Sequence, residues 1–323
     1  MSSTLTSIGN YLFGWAVITL ALSWILAIAY PLFLRVLATG SAQQASRFTL
    51  LYALLPPAAA VLALIILSLP ALAFPFVAYH CHDAICTPHT LHMTTDTLEG
   101  IISVIAVVAI LTGLCVLIAT QLISSRKRLQ ALRDLSEAHP ANYRLVDSPD
   151  HLAWCAGLLR PQVYLSSGLL TSLSAEQLRI IVAHEQTHAI RRDNLRKWLL
   201  YWATLVWPKK IRQGIRQNFS NYSEHICDLV AAQPERGDRS LNTVIETLTA
   251  AYSKHSGSMS NGDGHPQEKR IIALERELYL QTLAFESRSV VYVLLGLFTA
   301  TIWLITIIGA IHFGHPLLEW LSQ

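Results

Sequence analysis

Hydrophobic positions dominate four long stretches of the chain, residues 11–34, 48–79, 101–123 and 290–311, none of which contains an Asp, Glu, Lys or Arg. A helix needs about 20 predominantly apolar residues to cross the hydrocarbon core of a bilayer, so each stretch predicts one membrane span. The second is longer than a straight span requires and carries Pro56, Pro57, Pro70 and Pro75. Proline removes a helical hydrogen bond, so this span is expected to be kinked, tilted or only partly helical.

Between the third and fourth stretches the pattern changes. Short apolar runs at 143–146, 152–155 and 162–165 are separated by Ser148-Pro149-Asp150 and by Gly157 with Arg160-Pro161. They predict a small sheet. From Ser174 the period becomes helical. Ser174, with Gln177 three residues on, fits a capping box that satisfies the first free amides of a helix running through Ile180, Ile181, His184 and His188. The apolar run 195–207 is too short to span. It predicts a helix on the domain or at the bilayer surface, with Trp198, Trp202 and Trp207 at the interface. Helices are expected at 221–232 and 240–254, and a mobile loop at 256–264, where Ser, Gly and Asn concentrate. No internal repeat is visible.

Composition supports the membrane reading. Of 323 residues 52% are hydrophobic and 14% charged, and the mean hydropathy is +0.40, which excludes an ordinary soluble protein, a disordered chain and a collagen. Five cysteines are too few for a disulfide-built scaffold. A formal charge of +3 gives no reason to expect direct nucleic-acid binding, but its placement is informative. All 24 Lys and Arg fall within 35–47 and 126–288. By the positive-inside rule the N-terminus is outside, the first loop inside, the 80–100 loop outside, the long segment from 124 inside and the C-terminus outside. Ser124-Ser-Arg-Lys-Arg128 reads as the cytoplasmic anchor of the third span rather than as a lipid-binding patch. No basic region precedes the first apolar run, so no cleaved signal peptide is expected. The organisation predicted is a three-helix membrane region over 1–123 with an extracytoplasmic 80–100 loop, a cytoplasmic domain over 124–288, and a fourth membrane helix with a short outer tail over 289–323.

The chemistry concentrates in that domain. His184-Glu185-Gln186-Thr187-His188 is an HExxH on a predicted helix. Imidazoles four residues apart share one helical face and can bind the same zinc ion, while Glu185 is placed as general base for the water that the metal activates. Glu224 and Asp228 are likewise four apart on a later predicted helix. One carboxylate can complete a three-ligand site and the other can orient a ligand histidine through its free N–H; the blander account makes both solvated surface carboxylates. In the outer loop, His80, Cys81, His82, Cys86, His89 and His92 admit either a metal site or, more simply, a Cys81–Cys86 disulfide among solvated histidines. Cys115, Cys155 and Cys227 read as small buried residues, and Cys227 is not counted as a ligand.

Trp154-Cys-Ala-Gly-Leu-Leu-Arg-Pro-Gln-Val-Tyr-Leu-Ser166, Leu173-Ser-Ala-Glu-Gln-Leu178, the HExxH, Arg192-Asp193 and Glu224-His-Ile-Cys-Asp228 together resemble the BlaR/MecR-type membrane metallopeptidases, metallopeptidase family fifty-six. The resemblance covers most of the chain. It implies a gluzincin domain between the third and fourth membrane helices, with His184, His188 and Glu224 as zinc ligands, Glu185 as general base and Asp228 as the partner of a ligand histidine. Asp193 matches a family acidic position, although capping the next helix explains it equally well. His265-Pro266, Arg270-Ile271 and Leu274 are also similar to HtpX-type membrane proteases, and His265 reads as a solvated loop residue. Receptors of the first family continue into an outer penicillin-binding sensor domain. Here only residues 313–323 follow the fourth span, so a signal is expected to enter through the membrane helices, the 80–100 loop or a separate sensor partner.

The fold expected is therefore a mainly α membrane protein, four transmembrane helices with an inserted cytoplasmic α+β gluzincin domain. The function expected is that of a zinc endopeptidase of a bacterial inner membrane, cleaving a repressor-like regulator or itself in signal transduction. A quality-control protease of the HtpX type and a metal-responsive receptor that does not cleave are the rivals. A transporter is disfavoured, because no charge interrupts any span.

Overall fold

The computed structural model describes residues 2–38, 40–73, 76, 98–232, 247 and 287–320. It is mostly helical with one small sheet. Among the described residues four helices are long and apolar enough to cross a membrane: α1 (Ser2–Leu37), α2 (Ala42–Leu67), α4 (Leu98–Asp134) and α9 (Ser287–Trp320). The long second stretch resolves into α2 and a single short turn, α3 (Pro70–Ala73). Helix α2 is opened by a capping box between Ser41 and Gln44, continues through Pro56 and Pro57, and ends where the Ser68 side chain and N–H both turn back to Leu64. The indole of Trp15 donates to the carbonyl of Pro57 (3.1 Å), tying α1 to the proline segment.

Helix α4 runs directly into the sheet. The guanidinium of Arg144 donates to the carbonyl of Arg133 in the last turn of α4 (2.8 Å) and to that of Ser136 just beyond it (2.5 Å), a charge-favourable contact at a helix C-terminus. The strands are β1 (Ser136–His139), β2 (Tyr143–Val146), β3 (Ala153–Ala156) and β4 (Gln162–Ser166), ordered β1-β2-β4-β3. Strands β1 and β2 pair antiparallel, β2 and β4 parallel, and β3 and β4 antiparallel, so β3 is an edge. Strand β1 was not signalled by its Ser-Glu-Ala-His sequence. It is an exposed edge defined by backbone pairing across the Asn142 turn (φ 60°) rather than by apolar alternation.

After the short α5 (Ser167–Ser172) come α6 (Ala175–Arg191), α7 (Asp193–Ala203) and α8 (Lys209–Ala231). The Ser174–Gln177 capping box opens α6 as its sequence predicts. Helix α8 begins about three turns before the predicted 221. Its first half alternates Lys, Arg and Gln with Ile211, Ile215 and Phe219, a narrow apolar stripe at helical spacing.

Two cores result. The smaller one packs the sheet on α5 and α6 through Tyr143, Val163, Leu165, Leu169, Ile180 and Ile181. The larger one joins α1, α2 and α9 to Leu200, Trp207, Ile215 and Phe219 of the α7–α8 segment. Trp207, expected at an interface, is instead 2% exposed, with its ring 5.9 Å from that of Tyr52. Asn218 donates to the Tyr30 hydroxyl (3.0 Å), and the Trp24 indole to the carbonyl of Val206 (3.2 Å). The predicted helix at 240–254 and loop at 256–264 lie outside the described residues, apart from Thr247, which is helical and buried.

Candidate metal centre

Helix α6 presents His184 and His188 one turn apart on its buried face, with Glu185 beside them. The ring centroids are 4.9 Å apart. Across α6 lies the second half of α8, whose stripe switches from Phe219 to Glu224 and Asp228. One carboxylate oxygen, Oε2 of Glu224, lies 3.5 Å from Nε2 of His184 and 3.5 Å from Nε2 of His188. The other ring nitrogens face two further buried carboxylates. Nδ1 of His184 is 3.1 Å from Oδ1 of Asp228, and Nδ1 of His188 is 2.9 Å from Oδ2 of Asp193. Asp193 is hydrogen-bonded to Nδ1 of His188 and Asp228 stands at ion-pair distance from Nδ1 of His184, and both rings keep Nε2 directed at the common point.

These distances suit a metal donor set as well as an ion pair. Zinc bonds of about 2.0–2.2 Å at tetrahedral angles separate ligand atoms by about 3.3–3.5 Å, which the two equal 3.5 Å separations match. The electrostatics agree. Burial alone would lower the pKa of both imidazoles. For His184, hydrogen bonds to Asp228 and Glu224 outweigh it and leave the pKa raised; for His188, hydrogen bonds to Asp193, Cys227 and Glu224 push it up to about 12. Burial would raise the Glu224 pKa, yet the two histidines hold it well below the usual carboxylate range. The pocket thus draws positive charge to the point between the rings. A metal bound there would displace the imidazole protons.

The third donor has a second candidate. A ligand atom from each of His184, His188 and Cys227 lies within 4.8 Å of the others, a grouping the sequence did not single out. The Cys227 sulfur is buried 4.0 Å from Oδ2 of Asp193, and burial pushes its pKa up to about 11. Glu224 is already an anion aimed at both Nε2 atoms, whereas Cys227 is a protonated thiol beside the carboxylate that serves Nδ1 of His188. Both side chains are therefore placed to act as a third donor beside the two histidines.

Asp193 does not cap α7. That position falls on Arg192, in the left-handed region (φ 54°) and without a side-chain cap, so the α6–α7 turn folds Asp193 back under His188. Arg191 holds its other oxygen at 3.3 Å. Two residues gained no signal from the sequence. Lys197 donates to Oε1 of Glu224 (3.4 Å), and Asn194 donates to the carbonyls of Cys155 (2.9 Å) and Gly157 (3.4 Å). Their partners are 27 to 39 residues away in the chain, beyond any local pattern. Gly157 has φ 113°, a conformation that favours glycine.

Around the centre is a cavity of about 340 Å³, bordered by Ala153 and Cys155 of β3, by His184, Glu185 and His188, and by Glu224. Glu185 is 4% exposed. Burial, with Glu185 nearby, pushes the Cys155 thiol up to about 12. Cys81, Cys86, the other donors of the 80–92 cluster and His265 lie outside the described residues. The free cysteines among the described residues are Cys115, Cys155 and Cys227.

A model of the family described as BlaR1 peptidase M56 matches residues 15–274, a region that takes in most of the chain, the sheet and every residue of the centre. No curated protein and no solved structure is matched.

Proposed function

The chain belongs to the BlaR1 peptidase M56 family, and from that premise we propose that it is an integral-membrane zinc endopeptidase. The observation that carries the reading is the equal 3.5 Å approach of Glu224 Oε2 to Nε2 of His184 and of His188. These three residues would hold the ion, and Asp228 and Asp193 would orient the two rings. When bound, zinc supplies Lewis acidity to the scissile carbonyl and to water. Glu185, buried beside the two histidines, takes the proton of the attacking water and returns it to the leaving amine. Lys197 restrains Oε1 of Glu224, so that Oε2 keeps its position.

The family points to a bacterial inner membrane, and the charge pattern favours both termini outside and residues 124–288 in the cytoplasm. The substrate class is a cytoplasmic or membrane protein, a repressor-like regulator or the chain itself, cleaved as part of a signalling step. Zinc content and cleavage measured together on the detergent-purified protein test the mechanism. Glu185→Gln is expected to keep one zinc per chain and lose hydrolysis by about 100-fold or more, whereas Glu224→Ala is expected to lose the metal. Full activity in Glu185→Gln removes the mechanism. Stoichiometric zinc in Glu224→Ala moves the third ligand to Cys227.

A further inference from the structure

The cavity at the metal centre does not end at β3. Trp154, Cys155 and Asn194 border both it and a larger cavity of about 650 Å³, so the two form one groove that turns the edge of the sheet. Its far wall is α4, which lines it with Thr120, Gln121, Ser124, Ser125 and Arg128 and, toward the helix end, with Leu129 and Leu132. These positions share one face of a helix. Thr120 and Gln121 still lie within the third apolar stretch, where a polar side chain is costly unless it faces protein or water. Arg128 belongs to the basic run that closes the span, but only it of Arg126, Lys127 and Arg128 borders the groove. It is exposed and has no ion pair among the described residues, and no Asp or Glu among them lines this outer half.

We propose that this mixed face of α4 is the outer wall of the substrate groove, that the groove takes an extended peptide segment lying where α4 leaves the membrane, and that Arg128 selects an acidic side chain on that segment. The inference rests on the peptidase reading and adds a specificity residue to it. Continuity with the centre supplies the reason for a peptide, and the uncompensated guanidinium supplies the reason for an acid. Among the described residues strand β3 pairs on one side only, which leaves its other edge open for backbone contact.

The test uses the full-length, zinc-loaded protein in detergent and a proteome-derived peptide library of known sequences. Wild type is expected to cut with Asp or Glu enriched at one fixed distance from the scissile bond. Arg128→Gln should reduce that enrichment about fivefold, the most an exposed ion pair supports, and Arg128→Glu should replace it with Lys and Arg. Arg126→Gln and Lys127→Gln remove the same unit charge from the same turn and should leave the profile unchanged. The same library is also retained on immobilised Glu185→Gln protein, with and without Arg128→Gln, so that binding is read without turnover. Retained peptides should be acid-rich only where Arg128 is present. An acidic preference that survives Arg128→Glu, or that falls equally in Lys127→Gln, overturns the assignment, as does retention without an Arg128-dependent preference. Failure of wild type to cut, beside Arg128-dependent retention, would instead sink the peptidase reading and leave the groove standing.

Discussion

Helices α2 and α4 are equally convincing as membrane spans, yet the molecule uses them in opposite ways. Half of the most apolar window of α2 is buried inside the protein, and none of that of α4 is. Helix α2 packs on α1, α9, α7 and α8, whereas α4 packs mainly on α1 and on β1. Ala53, Ala59, Ala60 and Ala63 of α2 are fully buried, small residues that let neighbouring backbones approach. On α4 the corresponding opportunity is unused, since a methyl group added at Gly113 would meet nothing within 4 Å. Hydropathy therefore reports that both helices belong in a bilayer but not which of them is core. The centre inherits the asymmetry. Its α8 side, with Glu224 and Asp228, is continuous with the membrane core, and its β3 side connects to α4 through the sheet and the groove.

The sharpest way to break this comparison is at Phe219, fully buried where α8 enters the shared core. Phe219→Ala is expected to cost about 3–5 kcal/mol and to lower both the apparent Tm, followed by tryptophan fluorescence in detergent, and the zinc retained. A variant that melts normally would mean that the α8 side is not anchored in the membrane core.

Next in size is Asp228→Ala. The carboxylate is fully buried and 3.1 Å from Nδ1 of His184, and losing such a support typically costs about 10–100-fold in metal affinity. Competition with a chelator measures it. Asp193→Ala should fall in the same range through His188, with an added loss from the unpaired Arg191. An unchanged zinc affinity in both variants would leave the two carboxylates with a packing role alone.

How much of this was legible in the sequence depends on the range of each interaction. The Ser174–Gln177 box, the one-turn spacing of His184 and His188 and that of Glu224 and Asp228 are local, and each is found where its pattern places it. Three of the four strands were visible as apolar runs; β1 was not, because pairing with β2 rather than side-chain burial defines it. Trp207 read as interfacial because an apolar run flanked by charge looks alike whether it meets lipid or another helix. Lys197, Asn194 and the nearness of Cys227 to Asp193 depend on how α7 and α8 cross, which no spacing encodes. The 80–92 donors and, apart from Thr247, the helix expected at 240–254 fall outside the described residues.

A smaller effect is expected at the hydrogen bond that joins the two regions. Tyr30 accepts from Asn218 at 3.0 Å, between the membrane helix α1 and α8. Tyr30→Phe keeps the ring that lies 6.1 Å from Tyr52 and removes only the acceptor, so a loss of about 1 kcal/mol is expected. The apparent Tm should fall by much less than in Phe219→Ala, with zinc content unchanged. A drop as large as that of Phe219→Ala would show that α8 is held by this polar link and not by the apolar core.

The smallest effect is expected on α4. Ile110 is 70% exposed and faces lipid in the arrangement described, so Ile110→Ala exchanges lipid contact for lipid contact and keeps a strong helix former. Removing its methyls opens no cavity inside the protein, and the change in stability should stay within about 0.5 kcal/mol. Measured beside Phe219→Ala in the same detergent, it tests the asymmetry itself. If Ile110→Ala lowered the apparent Tm as far as Phe219→Ala does, the exposed face of α4 would have to be covered in the working protein by another chain. The groove between α4 and β3 would then be shared with that chain rather than open to the bilayer.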